Sequence, residues 1–186
     1  RMTLITDTAA LAGFCNRQKG AEFVAVDTEF MRERTYWPIL CLVQVAGSEE
    51  SVAIDPLAPG LDLAPLLDLM ADPSVLKVFH AARQDLEIFY QLSNRVPHPV
   101  FDTQIAAMVC GFGDAVSYET LVRRLAGTGL DKASRFTDWA QRPLTERQVR
   151  YALADVVHLR TVYERLQQIL GKSGRASWFA EEMENL

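Results

Sequence analysis

Three short apolar runs, separated by polar and turn-forming residues, dominate the first third of the chain. Residues 23–26, 40–45 and 51–54 are mostly apolar and rich in β-branched side chains, which favour strands. Gly47 and Ser48 lie between the second and third runs, where they mark a turn. The pattern predicts three strands in an antiparallel part of a sheet.

Helical and extended patterns alternate over the rest of the chain. Strands are predicted at residues 75–79 and 100–101. Helices are predicted from Thr6 or Asp7 to Lys19, and over residues 63–70, 83–92 and 103–109. Because strands that alternate with helices pair in parallel, the chain is predicted to be an α/β protein with a mixed central sheet, antiparallel in its first three strands and then parallel, flanked by helices.

The longest predicted helix begins with a capping signal. Thr145 and Gln148 have the spacing of a capping box, in which a threonine and a glutamine three residues later bond each other's main chain. Apolar residues at helical spacing follow as far as Leu170, and Gly171 is the predicted stop.

Composition restricts the possible classes of protein. The 186 residues, 49% of them hydrophobic and 23% charged, suit one globular domain. The apolar runs are far shorter than the about 20 residues of a membrane span, so no membrane association is expected. Three widely spaced cysteines, Cys15, Cys41 and Cys110, predict reduced thiols and a cytoplasmic location.

The net charge of −5 is unevenly distributed. Residues 123–150 contain seven basic and three acidic side chains, so this stretch carries +4. Such a stretch is either a solvated polar face or a local strip that binds phosphate groups.

Two carboxylates follow the first apolar run. Asp27 and Glu29 are two residues apart, so they share one face if the strand continues that far. Two carboxylates 4 Å apart repel by about 1 kcal/mol in water and about 4 kcal/mol at an effective dielectric of 20. The pair is therefore half of a site for a hard divalent cation, or else a solvated turn.

Two further acids occupy helices. Asp85 falls in the first turn of a predicted helix, where an acid also stabilises the helix dipole. Asp155 lies four residues after Tyr151 in the longest helix, either exposed beneath that tyrosine or bound to a cation. Four carboxylates and one phenol together indicate a phosphodiesterase site with two cations about 3.5–4 Å apart.

These residues resemble three sequence motifs of the DEDD exonucleases. The first motif is Asp27-Thr28-Glu29-Phe30, the second surrounds Asp85 in residues 80–87, and Tyr151-x-x-x-Asp155 is the third in its tyrosine-containing form. Within these enzymes the chain is most similar to the ribonuclease D family. The similarity extends to residues 34–38, 54–57, 102–104 and 137–148, and so spans nearly the whole chain.

The resemblance implies a ribonuclease H-like fold and one 3′–5′ exonuclease domain over residues 1–186, without the helical domains that follow it in ribonuclease D. It implies hydrolysis of RNA with a single-stranded 3′ end, such as a tRNA precursor, to nucleoside 5′-monophosphates. Two divalent cations, Mg²⁺ or Mn²⁺, are the implied cofactors. An exonuclease that acts on DNA and a catalytically silent nucleic-acid-binding module are the alternatives.

The resemblance also assigns roles to residues. Asp27 would bridge both cations, Glu29 and Asp155 would complete the site that activates water, and Asp85 would hold the second cation. Tyr151 would orient the attacking water, since a phenol with a pKa near 10 is a poor base at neutral pH. Five residues near the terminal nucleotide would bind substrate: Thr28, Phe30, Met31, His80 and Gln84.

Two residues of the similar segments have structural interpretations. Asp102 stands directly before Thr103, so it is predicted to cap the helix that starts there. Trp139 could stack on a base, but its position beside Pro143 and the capping box favours packing in the core.

Overall fold

A six-stranded mixed sheet forms the centre of the computed structural model, which describes residues 2–32, 38–130 and 137–186. The strands are β1 (Met2–Ile5), β2 (Phe23–Met31), β3 (Ile39–Ala46), β4 (Ser51–Ile54), β5 (Leu76–Phe79) and β6 (Val100–Asp102), in the spatial order β1-β4-β3-β2-β5-β6. Residues 34–37 of one similar segment, and Asp131, Lys132 and Arg135 of the basic stretch, lie outside the described residues.

The strand directions confirm the predicted mixed sheet. Strands β2, β3 and β4 are antiparallel neighbours, whereas β5 and β6 run parallel to β2. Strand β1 was not predicted, and it pairs in parallel with β4. It is only four residues long, and it buries Ile5 while Met2 and Leu4 remain exposed.

Helices cover both faces of the sheet. They are α1 (Thr8–Arg17), α2 (Ala64–Ala71), α3 (Arg83–Ser93), α4 (Thr103–Val109), α5 (Tyr118–Leu121), α6 (Glu146–Ser173) and α7 (Ala176–Glu184), with a π-helical turn at Val122–Ala126 after α5. Helices α1, α2 and α3 pack on one face, and α4, α6 and α7 pack on the other. The first four predicted helices correspond to α1, α2, α3 and α4, and each is confirmed to within two residues at both ends.

Strand β2 alternates between these two faces. Val24 and Val26 pack in the core beneath α1, α2 and α3, whereas Phe23 and Ala25 pack against α4 and α6. Since side chains alternate along a strand, Asp27 and Glu29 continue the row that faces α6. Thr28 continues the row that faces α3.

The predicted end of α6 was wrong by three residues. Thr145 and Gln148 form the predicted capping box at its start, but the helix continues through Gly171 to Ser173. The helix ends where the backbone turns left-handed, at Gly174 with a φ of 70°. Leu170 is buried in the core, and the Ser173 hydroxyl donates a 3.2 Å hydrogen bond to its main-chain carbonyl within the last turn.

Candidate active site

The first two acids lie on β2 where it pairs with β3. Asp27 is opposite Gln44 and Glu29 is opposite Leu42, and a bulge follows between Glu29 and Phe30. The Nε2 atom of the buried Gln44 donates a 3.4 Å hydrogen bond to Glu29 Oε1. The strand therefore holds both carboxylates on one face, as the two-residue spacing predicts.

A third acid joins them from α6. Asp155 is 8% exposed, and one carboxylate oxygen from each of Asp27, Glu29 and Asp155 lies within 4.8 Å of the other two. The donor set consists only of oxygen atoms, which hard divalent cations prefer. These three residues fit a Mg²⁺ or Mn²⁺ ion by their chemistry and by their spacing.

Asp85 stands beside this group and reaches the site from the other face of the sheet. It lies in the first turn of α3, is 7% exposed, and accepts a short hydrogen bond from the Thr28 hydroxyl. Its negative charge is near enough to raise the pKa of Glu29. The structure thus brings together all four predicted acids, three in one tight group and the fourth adjacent.

Burial controls the ionisation of the acids. Burial, and next the charge of Asp27, raises the pKa of Glu29 to about 9. Burial also raises the pKa of Asp27 and of Asp85 above the ordinary range. Without a cation the Glu29 carboxyl holds a proton at neutral pH, so a bound cation must displace that proton to use Glu29 as a ligand.

A cavity of about 190 Å³ opens onto the acids. The residues that line it are Asp27, His80, Tyr118, Leu130, Tyr151, Asp155 and Leu159. Tyr151 therefore shares the cavity with two of the three grouped acids.

Comparison with known proteins identifies the family. A family model described as 3′–5′ exonuclease matches residues 2–171. The chain belongs to the 3′–5′ exonuclease family. It is 58% identical over 180 residues to ribonuclease D of Gluconacetobacter diazotrophicus, an alignment that covers 97% of this chain and 46% of that protein. The resemblance inferred from the three motifs is confirmed.

Solved structures agree with this assignment. The crystal structure of Escherichia coli RNase D, an exoribonuclease involved in structured RNA processing, matches with a TM-score of 0.94 and 38% identity, covering 99% of this chain and 49% of that one. Brucella melitensis NrnC bound to pGG matches with a TM-score of 0.82 and 27% identity, and the match covers 99% of this chain and 87% of the NrnC chain. Brucella melitensis NrnC with bound Mg²⁺ matches with a TM-score of 0.79 and 25% identity, and the match covers 99% of this chain and 88% of the NrnC chain.

These matches confirm the ribonuclease H-like fold. The chain spans about half the length of the ribonuclease D relatives that it matches. Among the described residues, no helix is both long enough and apolar enough to cross a membrane.

The exonuclease cavity contains a tyrosine that the motifs did not indicate. The Tyr118 hydroxyl donates a short hydrogen bond to the main-chain carbonyl of Asp155. Burial, and then the charges of Asp155 and Asp27, raise the pKa of Tyr118 well above its ordinary value, so the phenol remains a donor. Only the tertiary fold brings α5 against α6, although Ser117 marks the start of α5 as an N-cap.

His80 lies in the cavity and is fixed by its neighbours. Its Nδ1 atom is 2.9 Å from the Thr103 hydroxyl, and its ring centroid is 5.3 Å from that of Tyr118. Burial is the main cause that lowers its pKa, so the ring is neutral at pH 7. His80 therefore presents a neutral, oriented ring at one wall of the cavity.

Asp102 fixes the turn that leads into α3. Its carboxylate accepts hydrogen bonds from the main-chain N–H of Gln104 at 2.8 Å, and of Ala81 and Ala82 at 2.9 Å each. The predicted cap on α4 is confirmed, and the same side chain also joins β6 to the turn before Asp85. This contact supports a left-handed backbone at Ala81, whose φ is 54°.

The other predicted substrate-binding residues surround the acids at different depths. Thr28 is buried against Asp85, and Met31 is partly buried against the apolar cluster that contains Trp139 and Leu153. Phe30 is partly exposed, with the Arg32 guanidinium 5.8 Å from its ring centroid. Gln84 lines a separate groove of about 720 Å³ with residues that include Arg32, Pro38 and Tyr90, so it does not face the cavity of the acids.

Proposed function

We propose that this domain is a metal-dependent 3′–5′ exoribonuclease that removes nucleoside 5′-monophosphates from RNA with a single-stranded 3′ end. The observation that carries the proposal is the group of Asp27, Glu29 and Asp155 within 4.8 Å, in a cavity that Tyr151 also lines. The 58% identity to a ribonuclease D supports RNA as the substrate, with tRNA precursors as one class of RNA.

Two divalent cations, Mg²⁺ or Mn²⁺, would complete the site. Asp27, Glu29 and Asp155 would hold one ion, and Asp27 together with Asp85 would hold the other. When bound, such ions lower the pKa of a coordinated water and stabilise the attacking and leaving oxygens. The Mg²⁺ complex of NrnC supports a cation of this kind.

The protein's own groups would position the reactants. Tyr151 would orient the attacking water through its hydroxyl, from the same cavity as Asp27 and Asp155. Tyr118 would keep α6 in place by its bond to the Asp155 carbonyl. Thr28 would hold the Asp85 carboxylate in one orientation through its hydrogen bond.

Five residues would bind the terminal nucleotide at different distances from the acids. Thr28 would contribute main-chain contacts, Phe30 and Met31 apolar surface, and His80 a neutral ring at the cavity wall. Gln84 would contact the substrate only from the neighbouring groove. We also propose a cytoplasmic location. Cys15, Cys41 and Cys110 form no disulfide bonds, and unpaired thiols are typical of reducing compartments.

The test uses a 5′-labelled RNA with a single-stranded 3′ end, its DNA counterpart and the same RNA blocked by a 3′-phosphate. Each is incubated with Mg²⁺, Mn²⁺ or EDTA. The proposal predicts a descending ladder on RNA that needs a cation, disappears in Asp27→Ala and persists in Asp114→Ala, which removes an exposed acid. A ladder on DNA but not on RNA would refute RNA as the substrate and would indicate an exonuclease that acts on DNA. RNA binding without cleavage in any lane would refute the enzyme and favour a silent binding module.

A further inference from the structure

A buried tryptophan precedes the helix that carries Tyr151. Trp139 is 3% exposed and packs with Leu42, Ala152 and Leu153. This burial confirms the prediction that Trp139 packs in the core. Its ring also lies against the ring of Tyr151, with centroids 6.1 Å apart and planes inclined by 31°. The orientation of the Tyr151 ring therefore depends on where Trp139 is held.

Arg142 holds the main chain of that tryptophan. Its Nη1 atom donates to the Trp139 carbonyl at 2.5 Å and to the Gln141 carbonyl at 3.0 Å. Its Nη2 atom donates to the Cys41 carbonyl on β3 at 2.7 Å. One guanidinium thus ties the segment before α6 to the strand beside β2.

Asp55 in turn fixes the guanidinium. Arg142 Nε donates to Asp55 Oδ2 at 3.1 Å, and Nη2 donates to Oδ1 at 2.9 Å, which is a two-pronged pairing. The Asp55 side chain is 9% exposed, and its Oδ1 also accepts from the Leu57 main-chain N–H at 2.9 Å. The pair is therefore rigid, and it joins the end of β4 to the segment that contains Trp139.

We infer that Asp55 and Arg142 are positioning residues for the exonuclease reaction, and that they act through Trp139 on the ring of Tyr151. The inference rests on the proposed function, because it needs a reaction in which Tyr151 takes part. A displacement of about 1 Å in a positioned group can cost about 100-fold in rate. The same role explains why segments 54–57 and 137–148 resemble the family although neither contributes an acid to the site.

A double-mutant cycle tests the inference. Arg142→Lys keeps the positive charge but loses the planar fork that reaches both Asp55 and the carbonyls. We expect it to lower kcat for release of the 3′ nucleotide by about tenfold, with KM unchanged within about twofold. In a Tyr151→Phe background the same substitution should change kcat less than about twofold, because the hydroxyl that it misplaces is already gone.

Arg160→Lys is the matched control. Arg160 also joins α6 to the sheet, through bonds to the carbonyls of Phe23 at 3.3 Å and Ala46 at 3.1 Å, but it does not support Trp139. We expect this variant to lower Tm without lowering kcat. Asp55→Asn should reproduce the Arg142→Lys loss of kcat and its dependence on Tyr151, which provides a second variant if Arg142→Lys does not fold.

The outcomes separate this inference from the proposed function. Equal losses of kcat from Arg142→Lys in the wild-type and Tyr151→Phe backgrounds would overturn the inference and leave the exonuclease intact. A loss of Mn²⁺ affinity in Arg142→Lys that accounts for the whole effect would overturn it too, because the inference places the effect on the Tyr151 ring and not on the cation ligands. An inactive wild-type protein would overturn both.

Discussion

Replacement of Glu29 by glutamine should stabilise the metal-free protein and abolish its activity. Glu29 is the suitable position, because burial and the charge of Asp27 raise its pKa from 4.5 to about 9. Between these two pH values the folded state binds a proton that the unfolded chain releases. Stability in EDTA therefore falls as the pH rises from about 4.5 to about 9. Glu29→Gln removes this contribution to the pH dependence of stability. The glutamine side chain retains an oxygen that can accept the hydrogen bond from Gln44.

The magnitude follows from the same pKa values. Each pH unit between about 4.5 and 7 changes the free energy of unfolding by about 1.4 kcal/mol, so the upper limit at pH 7 is about 3 kcal/mol. Relaxation of the neighbouring acids reduces this value, and we expect a gain of about 1 to 3 kcal/mol for Glu29→Gln. For a domain of this size the gain corresponds to a rise in Tm of about 2 to 12 °C.

The assay is thermal unfolding of wild type and Glu29→Gln in EDTA at pH 4.5, 7 and 8.5. The difference in Tm should be near zero at pH 4.5 and largest at pH 8.5. In saturating Mg²⁺ the wild-type protein should instead have the higher Tm. A ligand at about 100 times its Kd stabilises a protein with an intact site by about 2.7 kcal/mol. Glu164→Gln, which neutralises an exposed acid on α6, should change neither result.

A lower Tm for Glu29→Gln in EDTA at every pH would refute this reasoning. It would mean that the carboxylate is ionised and stabilised by the protein itself. The acids would then form a structural network and would not be a group that needs a cation.

Three further substitutions test other contacts. Tyr151→Phe should lower kcat about 100-fold and leave Mn²⁺ affinity unchanged, as measured by single-turnover kinetics and a Mn²⁺ titration. Tyr118→Phe removes the donor to the Asp155 carbonyl and should weaken Mn²⁺ binding about 2- to 10-fold, since one hydrogen bond contributes about 0.5–1.5 kcal/mol; unchanged affinity would contradict this role. Asp102→Ala leaves three main-chain donors without their acceptor and should lower the free energy of unfolding in urea by about 3 kcal/mol, whereas Asp102→Asn should lose less.

The sequence predicted the sheet and the acids best where the signal is local. Strand β2 contains uninterrupted apolar residues before Asp27, and the two-residue spacing to Glu29 fixes a shared face without any tertiary information. The capping box at Thr145 likewise depends only on residues within one turn. The grouping of Asp155 with the β2 acids was predicted from the chemistry of a two-cation site, and the family resemblance then assigned their roles, because no local rule connects α6 to that strand.

Elements whose stability depends on distant contacts were not predicted. Strand β1 buries only Ile5 and is defined by its pairing with β4 about 50 residues later. Helix α7 is fixed by Phe179, whose ring centroid lies 4.6 Å from that of Phe101. Tyr118 has no motif around it and reaches the cavity only through the packing of α5. In each case the deciding interaction joins residues that are far apart in the chain.

The most direct test of the proposed reaction is the identity of the first product from an RNA labelled at its 3′-terminal nucleotide. With Mg²⁺, we expect all early label to appear as a nucleoside 5′-monophosphate, and we expect EDTA and Asp155→Asn each to abolish its release. Release of the label in a longer fragment, as a 3′-monophosphate, or at an unchanged rate in EDTA would contradict a metal-dependent 3′–5′ exonuclease built on these acids.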